Sequence, residues 1–232
     1  MLPFGLTCAC CQHYYLNRGI KTTHNREEVI LDLFDAINER KSVRWFKQDP
    51  LDESIIRKIL EAAIRAPTAM AMEQWFFIVV KEEQVCKKIW ELLKKAHIYY
   101  YTKAREGSDS IDLRMLKKLQ ERLDQGMYRA PIYVAAFLKL SKKGLKKDYS
   151  DIEELWGVES VSAALENISL AATALGLGTC WIGVVNFLEE EFNKVLRPPE
   201  GCRLIAILPL GVPLKQTHPR PRKELNEVVR VV

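Results

Sequence analysis

APTAMAMEQWFFIVV, residues 66–80, changes character at its midpoint, and that change sets the fold class. Pro67 stops the helical pattern before it, because proline lacks a backbone donor and biases the preceding residue away from helical geometry. Thr68 and Ala69 open a turn. From Trp75 to Val80 the chain is a continuous bulky and β-branched run, too short for a typical helix, and it reads as a central strand. A helix stop leading straight into such a strand calls for a chain in which helices cover a sheet.

Upstream, Asp52 is placed to cap a helix, with Leu51 and Ile56 as a hydrophobic staple and Ile55, Ile56, Ile59, Leu60 and Ala63 as its apolar stripe. An earlier helix is expected from near Glu28 to Glu39, burying Val29, Leu33, Phe34 and Ile37. Residues 1–26 are weakly periodic and read as a leader appended to one domain over 27–232. Downstream, Glu82 to Ala96 forms a helix with Val85, Ile89, Trp90 and Leu93 inward. Residues 97–127 combine Tyr99, Tyr100 and Tyr101, a polar GSDS stretch and another helical pattern; they either cover a pocket or extend an interface.

Ile132 to Leu140 is the next strand, followed by the lysine-rich SKKGLKK. A helix from Ser160 to Leu175 carries Ala163, Ala164, Ala171 and Ala172, small enough for close helix packing. GLGTCWIG then leads to a short helix, Leu188 to Leu196, stopped by Pro198 and Pro199, and Arg203 to Leu210 is the last strand. Pro213, Pro219 and Pro221 keep the tail extended, and Leu225, Val228, Val229, Val231 and Val232 give it an apolar end with which to dock.

The 232 residues are 48% hydrophobic, enough to bury one substantial core. The formal charge of +5 does not require nucleic acid, and the lysines around Gly144 lack aromatic interleaving, so they read as a solvated turn. The apolar runs are too short to span a bilayer as helices, and MLPFGLTCACC lacks a basic n-region; a cytoplasmic protein without membrane or nucleic-acid partners is expected. Cys8, Cys10, Cys11 and His13 make an awkward ligand set, so no metal is expected, while Cys86, Cys180 and Cys202 read as buried apolar residues.

Two cationic segments lie near opposite ends of the domain: ERKSVRWF, with Arg40, Lys41, Ser42 and Arg44, and HPRPRK, with Arg220 and Arg222. Guanidinium forks, an ammonium and a hydroxyl suit phosphate oxygens, but KSVR alone reads more readily as a solvated helix exit than as a phosphate site. Gly176, Gly178 and Gly183 allow close backbone approach or serve as a helix cap; they do not complete a dinucleotide fingerprint. Met70 and Met72 suit either a ligand face or core filling, Glu166 and Asn167 point toward a ligand or solvent, and Trp181 reads as packing.

The RxSxR-type stretch, APTAMAMEQWFFIVV, ENISLAATALGLGTCWIG, LPLGVP and PRPRK, in that order, resemble the nitroreductase-like FMN-dependent oxidoreductases over residues 29–232. The resemblance implies an α+β fold with a central mixed, largely antiparallel sheet surrounded by helices. It also implies a homodimer with FMN at the subunit interface. It places Arg40, Lys41, Ser42, Arg44, Arg220 and Arg222 around the FMN phosphate, ribityl chain and pyrimidine edge. Further cofactor contacts fall on Pro67, Thr68, Ala69, Met70, Ala71, Glu73, Glu166, Leu177 and Gly178. Ala71, Glu73 and Gln74 depart from the asparagine and glutamine-proline frequent there in the family.

No protein nucleophile is implied, and no catalytic side chain is assigned. NADH or NADPH would reduce the flavin, and a nitroaromatic, quinone or related conjugated small molecule would accept the electrons by a ping-pong mechanism. The alternatives are a specialised flavin enzyme, such as a reductive dehalogenase or flavin-fragmenting enzyme, and a non-enzymatic FMN-binding protein.

Overall fold

A computed structural model of the chain describes residues 31–104, 113–139, 147–215 and 218–232. The leader with its cysteine cluster, the start of the first helix, the GSDS stretch and most of the lysine-rich turn lie outside the described residues.

The first described helix, α1 (Leu33–Glu39), is capped by Asp32, whose side chain accepts the Asp35 N–H at 2.9 Å. Only Ala36 on it is buried. The expected inward face instead stands in solvent: Leu33 is 62% exposed, Phe34 74% and Ile37 47%. Its apolar pattern was legible, but among the described residues nothing covers it. Helix α2 (Glu53–Ala63) follows the expectation closely, with Asp52 accepting the Ser54 N–H at 2.7 Å and Ile56, Ile59 and Ala63 buried. A 3-10 turn, Ala69–Ala71, leads into β1 (Trp75–Val80).

Helix α3 (Glu83–Tyr99) passes into a π-helical turn, Tyr100–Ala104, and α4 (Leu113–Asp124) returns to the sheet at β2 (Ile132–Lys139). Helix α5 (Ser150–Ala174) begins ten residues earlier than Ser160. It is about 37 Å long at 1.5 Å per residue. Then come β3 (Gly178–Thr179), a 3-10 turn, α6 (Glu189–Leu196), β4 (Cys202–Gly211) and α7 (Leu225–Val228). The tail was expected without regular structure; α7 is one turn closed by a reciprocal capping box between Glu224 and Glu227. Its apolar residues are not docked on the described part of the chain: Leu225, Val228, Val231 and Val232 are all exposed.

The strand order is β1-β2-β4-β3, and all three pairings are antiparallel; a parallel bridge joins Ser42 to Thr179. The centre is therefore β2 and β4, and β1, expected as a central strand, is at the edge. Its uninterrupted apolar run reports cover on both faces, and at the edge that cover is partial: within β1 only Val80 is fully buried. Phe76 and Ile78 pack on one core cluster, and Trp75, Phe77 and Val79 on the other. Alternation along β2 sends Tyr133, Ala135 and Phe137 toward α3 and α6, and Ile132, Val134, Ala136 and Leu138 toward α2 and α5. The register slips between Ala136 and Phe137, leaving Ile205 without an opposite residue. Among the described residues, no helix is long and apolar enough to cross a membrane.

Candidate functional site

The segment leaving α1 cannot wander, because it is stitched to the short edge strand. Val43 donates its N–H to the Thr179 carbonyl at 2.8 Å, and Lys47 donates to Val212 at 2.9 Å. The packing there leaves no room for a side chain at residue 178: a Cβ on Gly178 would stand 2.5 Å from Val43 Cγ2. Burying Val43 and Phe46 as inward anchors leaves Arg40, Lys41, Ser42 and Arg44 around an opening.

The C-terminal segment arrives at that same opening. Arg40, Lys41, Ser42, Arg44, His218, Arg220 and Arg222 line one cavity of about 420 Å³. Residues about 180 positions apart in the chain thus bring guanidinium, ammonium, imidazole and hydroxyl groups to one wall. His218 belongs to the quoted HPRPRK motif but was not among the expected site residues. Lys41 also lines an adjoining cavity of about 510 Å³, together with Val43, Gly176, Leu177 and Gly178. Leu177 and Gly178 therefore lie beside the basic cavity rather than in its wall.

Glu166, on α5, approaches from below and pairs with Arg40 at 3.4 Å. Burial raises its pKa above the ordinary carboxylate value, while Arg40 and Arg222 pull it back. Lys41 pairs with Glu39 at 3.6 Å. Arg44 is half-buried: burial pulls its pKa down, and the Cys180 thiol and Tyr128 hydroxyl outweigh that pull. Burial raises Cys180, against the opposing influence of Arg44, a hydrogen bond with Ser42, and Arg40. Neither Cys180 nor Tyr128 was a candidate in the sequence, since nothing in the spacing of residues 44, 128 and 180 indicates that they meet.

The turn after α2 sits elsewhere on α5. Ala69 donates its N–H to Ser160 Oγ at 3.2 Å, and Glu73 donates to Thr68 Oγ1 at 3.0 Å. Ser160 precedes Glu166 by six residues, about 9 Å along the helix and on a different face. Pro67, Thr68, Ala69, Met70, Ala71 and Glu73 are thus absent from the lining of the basic cavity in a single chain. Met70, Ala71 and Glu73 hold φ of 50°, 53° and 46°, three left-handed residues interrupted by right-handed Met72, which only a well-determined turn maintains. Met70 is 70% exposed, which removes core filling as its role. Asn167 is structural, donating Nδ2–H to the Ala62 carbonyl at 2.9 Å. Trp181, expected to be packing, is 41% exposed beside the cavity-forming strand. Cys86 and Cys180 are buried free thiols, as expected, while Cys202 is only partly covered.

The donor set fits a phosphate monoester: several cations and a hydroxyl face one cavity, and the backbone of the early segment is fixed by the Thr179 and Val212 bonds. Among the described residues, no cluster of His, Cys, Asp and Glu could hold a metal ion.

Comparison with known proteins gives this geometry a lineage. The Nitroreductase family model matches residues 37–212. A relative from Archaeoglobus fulgidus named putative NADH dehydrogenase/NAD(P)H nitroreductase is 32% identical over 76% of this chain and 83% of its own. The crystal structure of a BluB-like flavoprotein from Clostridium difficile is 26% identical, covers 87% of this chain and 99% of its own, and superposes with a TM-score of 0.70. An oxidised iodotyrosine deiodinase bound to FMN and 3-iodo-L-tyrosine is 25% identical, covers 86% of this chain and 98% of its own, and has a TM-score of 0.65.

Proposed function

Because the chain belongs to the nitroreductase family, we propose that its basic cavity holds the phosphate end of FMN and that the protein is an FMN-dependent oxidoreductase. One observation carries this reading: the early Arg40–Arg44 segment and the late His218–Arg222 segment converge on a single cavity. FMN, when bound, supplies the two-electron chemistry, with NADH or NADPH as donor. The chain's own part is to bind and orient. Arg40, Arg220 and Arg222 neutralise phosphate charge, Ser42 donates its hydroxyl, and Arg44 approaches from the half-buried side. Glu166 offsets Arg40 while the cavity is unfilled and limits the net charge once phosphate enters.

The exposed face of α1 and the exposed apolar tail point to a homodimer. In such a pair the second copy would bring its own turn between α2 and β1 toward the flavin, which accounts for the strained turn lying away from the basic cavity in one chain. Ile152 and Leu155, near the start of α5, are further large exposed apolar side chains.

Within this class, a specialised flavin enzyme is favoured over a broad nitroreductase. The two structures compared above, a BluB-like flavoprotein and an iodotyrosine deiodinase, match over most of the chain. The segment between α3 and β2 is also built as a π-helical turn and an amphipathic helix. With α3, its described residues border an open groove of about 780 Å³, lined by Ile98, Tyr99, Thr102 and Leu123 among others, which shares no residue with the wall of the basic cavity. A broad nitroreductase remains the second reading, on the name of the Archaeoglobus fulgidus relative.

The test is an absorbance spectrum of the FMN-reconstituted protein, anaerobic titration with NADH and NADPH, and then a stopped reaction with 3-iodotyrosine, a nitroaromatic and a quinone. Flavin bleaching followed by iodide release supports the specialised reading; reoxidation by the nitroaromatic or quinone alone supports the second. Folded protein that neither binds FMN nor bleaches it would sink both.

A further inference from the structure

The turn between α2 and β1 holds Met70, Ala71 and Glu73 in left-handed conformations and contains no glycine that would adopt them freely. Such conformations persist where the surroundings over-determine them. Here the surroundings are one face of α5. Glu153, Gly157 and Ser160 follow at i, i+4 and i+7, so they stack on a single stripe of that helix about 10 Å long. All three are buried.

The stripe holds the turn at both ends. At the start, Ser160 Oγ accepts the Ala69 N–H at 3.2 Å while donating to the Trp156 carbonyl at 2.7 Å, so two bonds fix the hydroxyl. At the far end, Gln74 is 1% exposed and donates Nε2–H to Glu153 Oε1 at 3.3 Å. Gly157 lets this junction close on the helix, since a Cβ there would stand 3.1 Å from Gln74 Oε1 and 2.5 Å from Leu138 Cδ1. The Gln74 carbonyl accepts the Lys139 N–H at 2.9 Å, which ties the same residue to the sheet. Gln74 Oε1 is buried and accepts no hydrogen bond among the described residues. A buried acceptor left unpaired is unfavourable, so an amide at this position is useful through its donor, and that donor ends on Glu153. A turn fixed in this way loses little further freedom when a ligand meets it.

We propose that Gln74, Glu153 and Ser160 are positioning residues: the α5 stripe presets the strained turn, whose exposed Met70, Ala71 and Glu73 meet the flavin. The inference rests on the FMN reading and on the turn's approach to the flavin in the dimer, and it adds determinants that lie outside both basic motifs. Gln74, Glu153 and Ser160 touch no ligand in this account; their whole effect passes through the turn.

The experiment compares wild type, Gln74→Met and Ser160→Ala in two affinities: FMN, read by flavin fluorescence quenching, and inorganic phosphate, read by its competition against FMN. Each substitution is expected to weaken FMN binding roughly three- to tenfold, the size of one lost hydrogen bond. The affinity for inorganic phosphate is expected to stay at the wild-type value, because phosphate occupies the basic cavity, whose wall contains no residue of the turn. That split is a signature that general loosening of the fold does not give. Should Gln74→Met not fold, Ser160→Ala is read alone with the same expectation. Wild-type FMN affinity in the folded variants overturns the inference and leaves the FMN reading standing, and an equal loss of FMN and phosphate affinity also overturns it. So does the expected split accompanied by altered sedimentation, since the stripe would then act on assembly. If the wild-type protein does not bind FMN, the FMN reading fails first, and the inference with it.

Discussion

Glu166 is the residue whose position decides how the basic cavity responds to pH. It stands 3.4 Å from Arg40, and burial raises its pKa against the pull of Arg40 and Arg222. A carboxyl with a raised folded-state pKa holds its proton in the fold at pH values where the unfolded chain has already released it. Stability from this group is therefore fully present below the ordinary carboxylate pKa and is lost as pH rises through the raised value. Over the same window a negative charge appears beside the cations that would hold phosphate. FMN affinity is expected to fall across it, and Glu166→Gln to bind FMN roughly two- to fivefold more tightly at neutral pH, with a flatter profile, the scale of a solvent-screened pair. Titrations of FMN at several pH values in both proteins measure this. A Glu166→Gln variant that binds more weakly would show that the carboxylate holds Arg40 in place instead of competing with the ligand. Sequence indicated that residue 166 was polar on a helix, but not which way it faced, because the helix phase is set by packing of its other faces.

Among the elements, β3 is the shortest strand and the one on which the site depends. Gly178 and Thr179 pair with Gly211 and Leu210 on one side and hold the Ser42–Val43 segment on the other. Gly178→Ala places a methyl 2.5 Å from Val43 Cγ2 and 2.7 Å from Val43 Cβ, so the segment bearing Ser42 and Arg44 must move. The expected outcome is a destabilisation of roughly 1–3 kcal/mol, typical of overpacking, with loss of FMN binding. Thermal melting and flavin retention check it, and a variant that melts and binds as wild type would show that the segment tolerates displacement. The longer elements were legible because their signals are local. Asp52 before Ile56, Ile59 and Ala63 is a cap followed by a stripe, and it forms the helix that it predicts. A two-residue strand has no periodicity, and GLGT reads equally well as a helix cap.

For the whole molecule, the unsatisfied apolar surface is the outstanding physical fact. Leu33, Phe34 and Ile37 on α1 and the valines of the tail are exposed in the single chain. Sedimentation is expected to give about twice the 26.8 kDa chain mass, and Phe34→Glu combined with Ile37→Glu to give monomers that lose FMN. A wild-type protein that sediments as a monomer at micromolar concentration would remove the dimer and, with it, the account of the turn after α2.

Sequence by itself determined the covered sheet, the helix caps and stops, and the two basic motifs, since each rests on the chemistry of neighbouring residues or on the family order of motifs. Tertiary structure alone decided that β1 is an edge strand, that α1 turns its apolar face outward, and that Arg44 meets Tyr128 and Cys180. These outcomes depend on which distant segments pack together, and the pairings are fixed by burial on both faces of β2 and β4 rather than by any local pattern. The same packing carries Arg40–Arg44 and Arg220–Arg222 to one cavity, turning two separate runs of charge into a site.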